Sequence, residues 1–313
     1  MCCSQLGCRQ YEFDRNSNLP LIFTGISFLA LSPQTFAAQD LSVENLFTDE
    51  GRIRLESTIS YANSERQSLA LGEPFVIQTG PTSYVTLPTT LTERNRYTDA
   101  VVATAAMRFG LTHDAEVYGR GSWLNSDTRV SGTASSESQT LNQFASSWLG
   151  FNYRLKEETD APTVIGFAEI ALSERQGWAT ANGKSYLLGL TAYKVLDPVV
   201  LTLTAAAGLN SRRYDGRSNY KPGNTTLISF ATAFAANERV SLTTGLQWRL
   251  RHADRLDNAM VGVRRASTDL ILGVGYGLST RTTINFSATS NISGTEGASA
   301  RLTIMHTLGK SGL

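Results

Sequence analysis

The chain has 313 residues, 41% of them hydrophobic, and a formal net charge of +1. That length suits one large barrel or two ordinary domains. The near-neutral charge, with no basic stripe interleaved with aromatics, argues against a nucleic-acid partner. Beyond the N-terminal region no apolar run is long enough for a spanning helix. This leaves a membrane barrel open, because a barrel places its apolar residues at every second position and gives a weak average signal.

Residues 1–37 read as a signal peptide. Residues 19–31 are apolar but too short to span as a helix, and Thr35, Phe36 and Ala37 supply a cleavage pattern before Ala38. The region ahead of the apolar run is long and carries Glu12 and Asp14 beside Arg9 and Arg15, which reads as an extra upstream segment. A buried core helix is the structural alternative. All three cysteines, Cys2, Cys3 and Cys8, fall in this piece. The mature chain is therefore expected to lack thiols, as suits passage through an oxidising compartment. Residues 38–50 follow as a leader, with Asp40, Glu44, Asp49 and Glu50 among Leu41, Val43, Leu46 and Phe47, and Ser42 placed to start a short helix.

The body of the chain alternates. In residues 240–251, Val240, Leu242, Leu246, Trp248 and Leu250 share one face, while Ser241, Gln247, Arg249 and Arg251 share the other. Successive strand side chains point to opposite sides of a sheet, and about ten residues suffice for a tilted strand to cross a bilayer. The same pattern begins at residue 53, with Leu55, Ile59 and Tyr61 opposite Arg54, Glu56 and Ser60, and recurs over 96–109, 115–124, 144–155, 164–173, 186–194, 199–210, 227–235, 268–278, 282–291 and 298–308. The expectation is an all-β transmembrane antiparallel up-and-down β-barrel of about twelve strands, with long loops at one end and short turns at the other. It occupies residues 51–308 and is followed by a tail, 309–313. The loops centred on Pro81, Gly132, Gly177, Gly216, Asp257 and Gly294 are expected outside the cell, and both chain ends on the periplasmic side.

Leu46-Phe47, Glu50-Gly51, Leu55-Glu56-Ser57, Tyr61, Ser64, Arg96, Asp99, Arg108-Phe109-Gly110-Leu111-Thr112, Glu116 and Arg120 together resemble the opening hairpins of the outer-membrane secretion channel of the Fap functional-amyloid system. The same residues are similar to the meta-pathway phenol-degradation-like barrels. The resemblance covers roughly residues 46–123 and implies a twelve-stranded channel in the bacterial outer membrane.

Positions on the polar face give the candidate pore lining: Arg52, Arg54, Glu56, Arg96, Arg108, Glu116, Arg120, Arg154, Glu169, Arg249, Arg251 and Arg301, with Tyr118, Gln247 and Asp269 among them. Arginine holds carboxylates bidentately and tolerates partial desolvation better than lysine does. Two readings stand side by side: a ladder of ion pairs that stiffens the barrel, and a charged constriction that favours anions. Arg52, Arg54, Arg108, Glu116 and Arg154 fall near the short-turn ends of their strands. The leader is then expected to enter that mouth as an acidic plug through Glu44 and Asp49, the alternative being a disordered leader. Gly273, Gly275 and Gly277 on one inner face either ease curvature or receive another segment, for which the apolar first loop with Phe75, Val76, Ile77, Tyr84 and Val85 is the candidate.

No catalytic constellation, metal-ligand cluster or cofactor motif stands out, and His252 with Asp254 and Asp257 is only suggestive of a rim protease. The functional expectation is a non-enzymatic channel for export or diffusion. Two alternatives remain, uptake of small hydrophobic solutes and a non-conducting structural or adhesive barrel. The partners expected are outer-membrane lipid, a secreted polypeptide or a small anionic or apolar solute, and a second copy in a homo-oligomer.

Overall fold

The computed structural model describes residues 47–66, 75–81, 83–87, 95–131, 136–157, 160–176, 179–214, 218–293 and 297–309. The signal peptide and most of the leader, including Glu44, lie outside the described residues. So do the loop centres at Gly132, Gly177, Gly216 and Gly294.

Among the described residues, twelve strands close into one antiparallel ring: β1 (Ile53–Arg66), β2 (Asn95–Thr112), β3 (Ala115–Ser131), β4 (Ser136–Lys156), β5 (Thr163–Gln176), β6 (Ser185–Leu196), β7 (Val199–Asn210), β8 (Thr225–Asn237), β9 (Val240–Arg251), β10 (Arg265–Ser279), β11 (Thr282–Ser293) and β12 (Ala298–Thr307). Each pairs with its sequence neighbours, and β12 returns to β1 with Arg54 opposite Thr307 and Asn63 opposite Ala298. Closure leaves no sheet edge, so every strand satisfies its backbone groups from both sides, which a hydrocarbon environment demands.

The alternation read from the sequence is realised around the ring. Leu55, Ile59, Leu203, Leu242, Leu246 and Leu272 stand exposed on the outer wall, where lipid takes the place of a core. Aromatic side chains mark both ends of that apolar belt, Tyr61, Tyr97, Tyr186 and Trp248 near the long loops and Phe109, Tyr153, Phe234 and Tyr276 near the short turns, as membrane barrels place them.

Three departures from the expected layout have physical reasons. β4 begins at Ser136, well before residue 144, because the β3–β4 ribbon continues past the apolar belt. There Thr128 faces Gln139 and Arg129 faces Ser138, so neither side of the ribbon is apolar and no alternation betrays it. The loops after β7 and β9 are not plain coil: Arg213–Tyr214, Asn219–Lys221, Asp254–Leu256 and Ala259–Val261 make a separate four-stranded sheet. Its tight turn uses Asp257 and Asn258 at φ 47° and 74°, a left-handed pair that Asp and Asn tolerate.

The largest departure is the first loop. Its centre near Pro81 does not stand outside the barrel but turns into it as a hairpin, Phe75–Gln78 against Tyr84–Leu87. Ile77 (1% exposed) and Val85 (3%) pack on Ala62, Ala100, Val102, Leu124 and Ala145, inward residues of β1 to β4. Burial of two such side chains contributes about 1.5–3 kcal/mol each, which offsets the entropy of ordering the loop. The hairpin meets the wall there and not at Gly273, Gly275 and Gly277. The space beside Gly273 and Gly275 is bounded by Ser241, Thr243, Asn285 and Ser287 of the adjoining strands and by the Phe286 carbonyl.

Introducing Arg at Leu203, which is 50% exposed on the outer wall, is expected to cost about 2–4 kcal/mol in a lipid bilayer. The same change at the neighbouring inward Thr202 is expected to be mild. Chemical unfolding of both variants in vesicles measures the difference, and equal costs would contradict a lipid-facing β7.

Candidate functional site

The lumen is divided lengthwise. On the side formed by β1 to β7 the inward residues are sealed: Thr58, Thr104, Tyr118, Phe167, Tyr193 and Thr204 are all buried. On the side formed by β8 to β12 the inward residues near the long loops, Leu227, Gln247, Arg249, Ser267 and Asp269, are buried as well, whereas Ser229, Ala231, Thr243, Thr283, Ser287 and Thr303 are small and half-buried. A closed ring of uniform filling would not produce that contrast. One side is packed by side chains that cross the lumen, and the other keeps accessible surface along the strands.

The charged groups of the lumen form a chain of ion pairs, most of it on the β1 to β7 side. Glu116, fully buried, accepts from Arg108 Nη1 at 2.9 Å, Asn152 Nδ2 at 2.7 Å and the Thr48 backbone N–H at 2.9 Å. Arg108 also reaches Glu56 at 3.3 Å and lies 4.6 Å over the Tyr118 ring. Higher in the lumen Glu169 accepts from the Tyr118 hydroxyl at 2.7 Å and from Arg120 Nη2 at 2.8 Å. The Tyr118 ring has its place only because residue 150 is glycine, since a Cβ there would occupy the ring's position. Near the long loops Arg249 pairs with Asp269 at 2.8 Å, Arg251 with Asp254 at 2.9 Å and Arg213 with Glu174 at 2.8 Å. Desolvated charges survive when paired and hydrogen-bonded, and removing one partner of such a pair costs about 3–5 kcal/mol.

Arg301 differs from its counterparts. It projects from β12 on the accessible side, donates Nε to Ser287 Oγ at 3.2 Å, and makes no ion pair among the described residues. Arg96 sits in β2 opposite Val130, with its side chain outside what is described. Arg52 lies at the short-turn mouth, 3.1 Å from Asp49.

The described end of the leader docks in that mouth through one carboxylate at the surface and through backbone and aromatic groups deeper in. Asp49 is largely exposed and pairs with Arg52, whereas the Phe47 carbonyl accepts from Arg54 Nη2 at 2.8 Å and the Thr48 N–H reaches Glu116. The Phe47 ring packs on Ile165, Tyr193 and Val195 with the Arg154 guanidinium 5.0 Å over it. A parallel bridge from Glu50 to Gly110 holds the turn, and a side chain at Gly110 would collide with the carbonyls of Thr48 and Asp49.

Arg154 leaves the buried cluster for His113, Asp114 and Glu157 at the turn ends. These three form a donor set of the kind that holds a cation, and the Arg154 guanidinium already lies 3.7 Å from Asp114 and 3.5 Å from Glu157. At the opposite end, His252 contacts the Asn224 carbonyl, while Asp254 accepts from the Tyr220 hydroxyl and the Gly223 N–H. Burial and that carboxylate push the Tyr220 hydroxyl above its ordinary range. Asp254 is thus tied to structural partners, and Asp257 accepts from the Asn219 N–H in the same way.

The inner hairpin was the one lining element whose position the arginine pattern did not indicate. A signal for it was present: on the inward face Ala62 lies between Ser60 and Ser64, Leu124 between Ser122 and Ser126, and the apolar pair Ala100 and Val102 between Thr98 and Thr104. An apolar patch on a lumen face calls for a cover.

Fold and lumen together define a transmembrane β-barrel of the kind found in outer membranes. An outer-membrane channel of Pseudomonas putida F1 superposes with a TM-score of 0.58 at 10% identity, over 84% of this chain and 97% of that one. The translocator domain of the autotransporter NalP from Neisseria meningitidis gives 0.52 at 9% identity, over 84% and 91%. At these identities the likeness is one of fold. No protein-family model and no curated sequence matches the chain.

Replacing Gly110 by Ala is expected to lift residues 47–50 out of the mouth while the ring stays closed. Protease added to the short-turn side of reconstituted vesicles should then cut the variant's leader faster than the parent's. Equal cutting would mean that the leader is not held through Gly110.

Proposed function

We propose that the chain is a bacterial outer-membrane channel through which small solutes diffuse along the accessible β8–β12 side of the lumen, with the short turns facing the periplasm. The observation that carries this reading is the lengthwise division of the lumen. The ion-paired side fixes the wall, and the opposite side offers small polar and glycine positions from Gly277 and Ser241 up to the inner hairpin. The Pseudomonas putida barrel of the same fold, itself an outer-membrane channel, agrees with it.

Of the two families the opening hairpins resemble, the small-solute barrels suit this lumen better than a secretion channel. Passage of a polypeptide needs width, and here the packed side and a docked hairpin take up much of the cross-section. The ion-pair ladder accounts for most of the predicted pore arginines, so charge selectivity falls to the one on the open side. Arg301 would give the passage a bias toward anions, since rings or single charges at a narrow point set pore selectivity. In the same reading the leader is a partial plug that acts through Phe47 and the backbone of Thr48, with Glu44 and Asp49 adding attraction toward the arginines around the mouth.

Planar-bilayer recordings test the reading directly, and a purified, folded barrel that carries no current would overturn it. Reversal potentials in a salt gradient should show anion preference for the parent and less of it for Arg301→Gln. An unchanged reversal potential would remove Arg301 from that role.

Deleting residues 75–87, or starting the chain at Gly51, should each raise single-channel conductance. Equal conductance of parent and Gly51-start chains at low and high salt would show that the leader does not obstruct the path.

A further inference from the structure

Between the inner hairpin and strands β4 to β9, close to the long loops, lies a cleft that the ion-pair ladder does not explain. It offers about 110 Å³ to the centres of water-sized groups, where one water needs about 10–15 Å³ by the same measure. That is space for a small ring compound. The floor is aromatic and aliphatic, built from Trp148, Leu187, Leu227 and Tyr84 of the hairpin.

Set into this floor are hydrogen-bond donors without acceptors. Arg120, 7% exposed, gives Nη2 to Glu169, while its Nε and Nη1 have no hydrogen-bond partner among the described residues. The same holds for Ser146 Oγ, in a residue 6% exposed, and for the Trp148 indole N–H. Arg120 lies 4.9 Å over the Trp148 ring, which brings its guanidinium and the indole to one wall of the cleft. Buried polar groups are nearly always paired, so several unsatisfied donors on one wall ask for an acceptor from elsewhere. The charge around them has the right sign but a small excess: of the five arginines that line the cleft, Arg120, Arg213, Arg249 and Arg251 are paired with Glu169, Glu174, Asp269 and Asp254, and Arg175 adds one further positive charge.

We propose that this cleft binds a small aromatic carboxylate, its ring against Trp148, Tyr84 and Leu227 and its carboxylate directed to Arg120, Ser146 and the Trp148 N–H. A purely apolar solute would leave the donors unsatisfied, and a purely polar anion would waste the aromatic floor. The site rests on the channel reading and deepens it, as a place where the solute pauses on the way from the long-loop side.

Calorimetric titration of the detergent-purified barrel with benzoate tests the site, with benzamide and acetate as controls that lack the charge and the ring. Benzoate should bind at least about tenfold more tightly than either control, than benzamide by the usual weight of a charged hydrogen bond and than acetate by burial of the ring. Arg120→Lys, which keeps a cation beside Glu169, and Trp148→Phe, which keeps a ring but loses the donor, should each weaken benzoate while the barrel's heat-modifiable migration is retained.

Benzoate binding no tighter than both controls, or unchanged in both variants, overturns the site. Current measured on the same preparations separates the two readings: conductance without benzoate binding sinks the site alone, and binding without conductance sinks the channel and leaves the site.

Discussion

A strand that crosses hydrocarbon must hydrogen-bond on both edges, and in this chain that requirement can be met only when the last strand finds the first. The β1–β12 seam joins residues as far apart as Arg54 and Thr307. Once the ring is closed, side-chain alternation leaves no freedom: every second residue of a strand is committed to the interior. The charges inside are a consequence of closure before they are a feature of function.

Closure also sets what those charges must do. A narrow interior cannot hydrate a dozen ionised groups fully, so they turn to one another. Glu116 shows the outcome. Its two oxygens tie together β2 through Arg108, β4 through Asn152 and the leader through Thr48. Glycines at positions 110 and 150 are part of the same arrangement, one leaving room for the leader's carbonyls and the other for the Tyr118 ring. Their contribution is the absence of a side chain at a crowded point.

The strand count, the outward face and the ion-paired character of the arginines were legible in the sequence because each depends on a period of two within one strand. Leu203 outward and Thr202 inward, or Glu56 beside Arg108, need nothing more than the alternation and the pairing of neighbouring strands. What was not legible depends on distant segments. The apolar residues of Phe75–Gln78 ask for a surface to cover but do not say where it lies, since that surface is written in Ala62, Ala100, Val102 and Leu124 on other strands. The leader was read from its acidic residues, and Asp49 does meet Arg52, yet the buried contacts of its described part are an aromatic ring and backbone groups, which carry no charge pattern. The polar β3–β4 ribbon escaped because alternation marks a strand only where one side meets an apolar medium.

The two sides of the lumen are also two parts of the chain. Most of the packed, ion-paired wall is encoded between Arg54 and Thr204 and the small, half-buried positions between Thr225 and Thr307, where Arg249 and Asp269 add one buried pair, with the Gln78–Gln247 and Tyr84–Arg249 contacts of the inner hairpin joining the two. Such a barrel is modular along its sequence. Recombination between relatives in the loop between β7 and β8 could exchange the bore while leaving the buried carboxylates with their own arginines. Selection could then widen, narrow or recharge the passage by single substitutions on β8 to β12 without reopening the question of whether the protein folds.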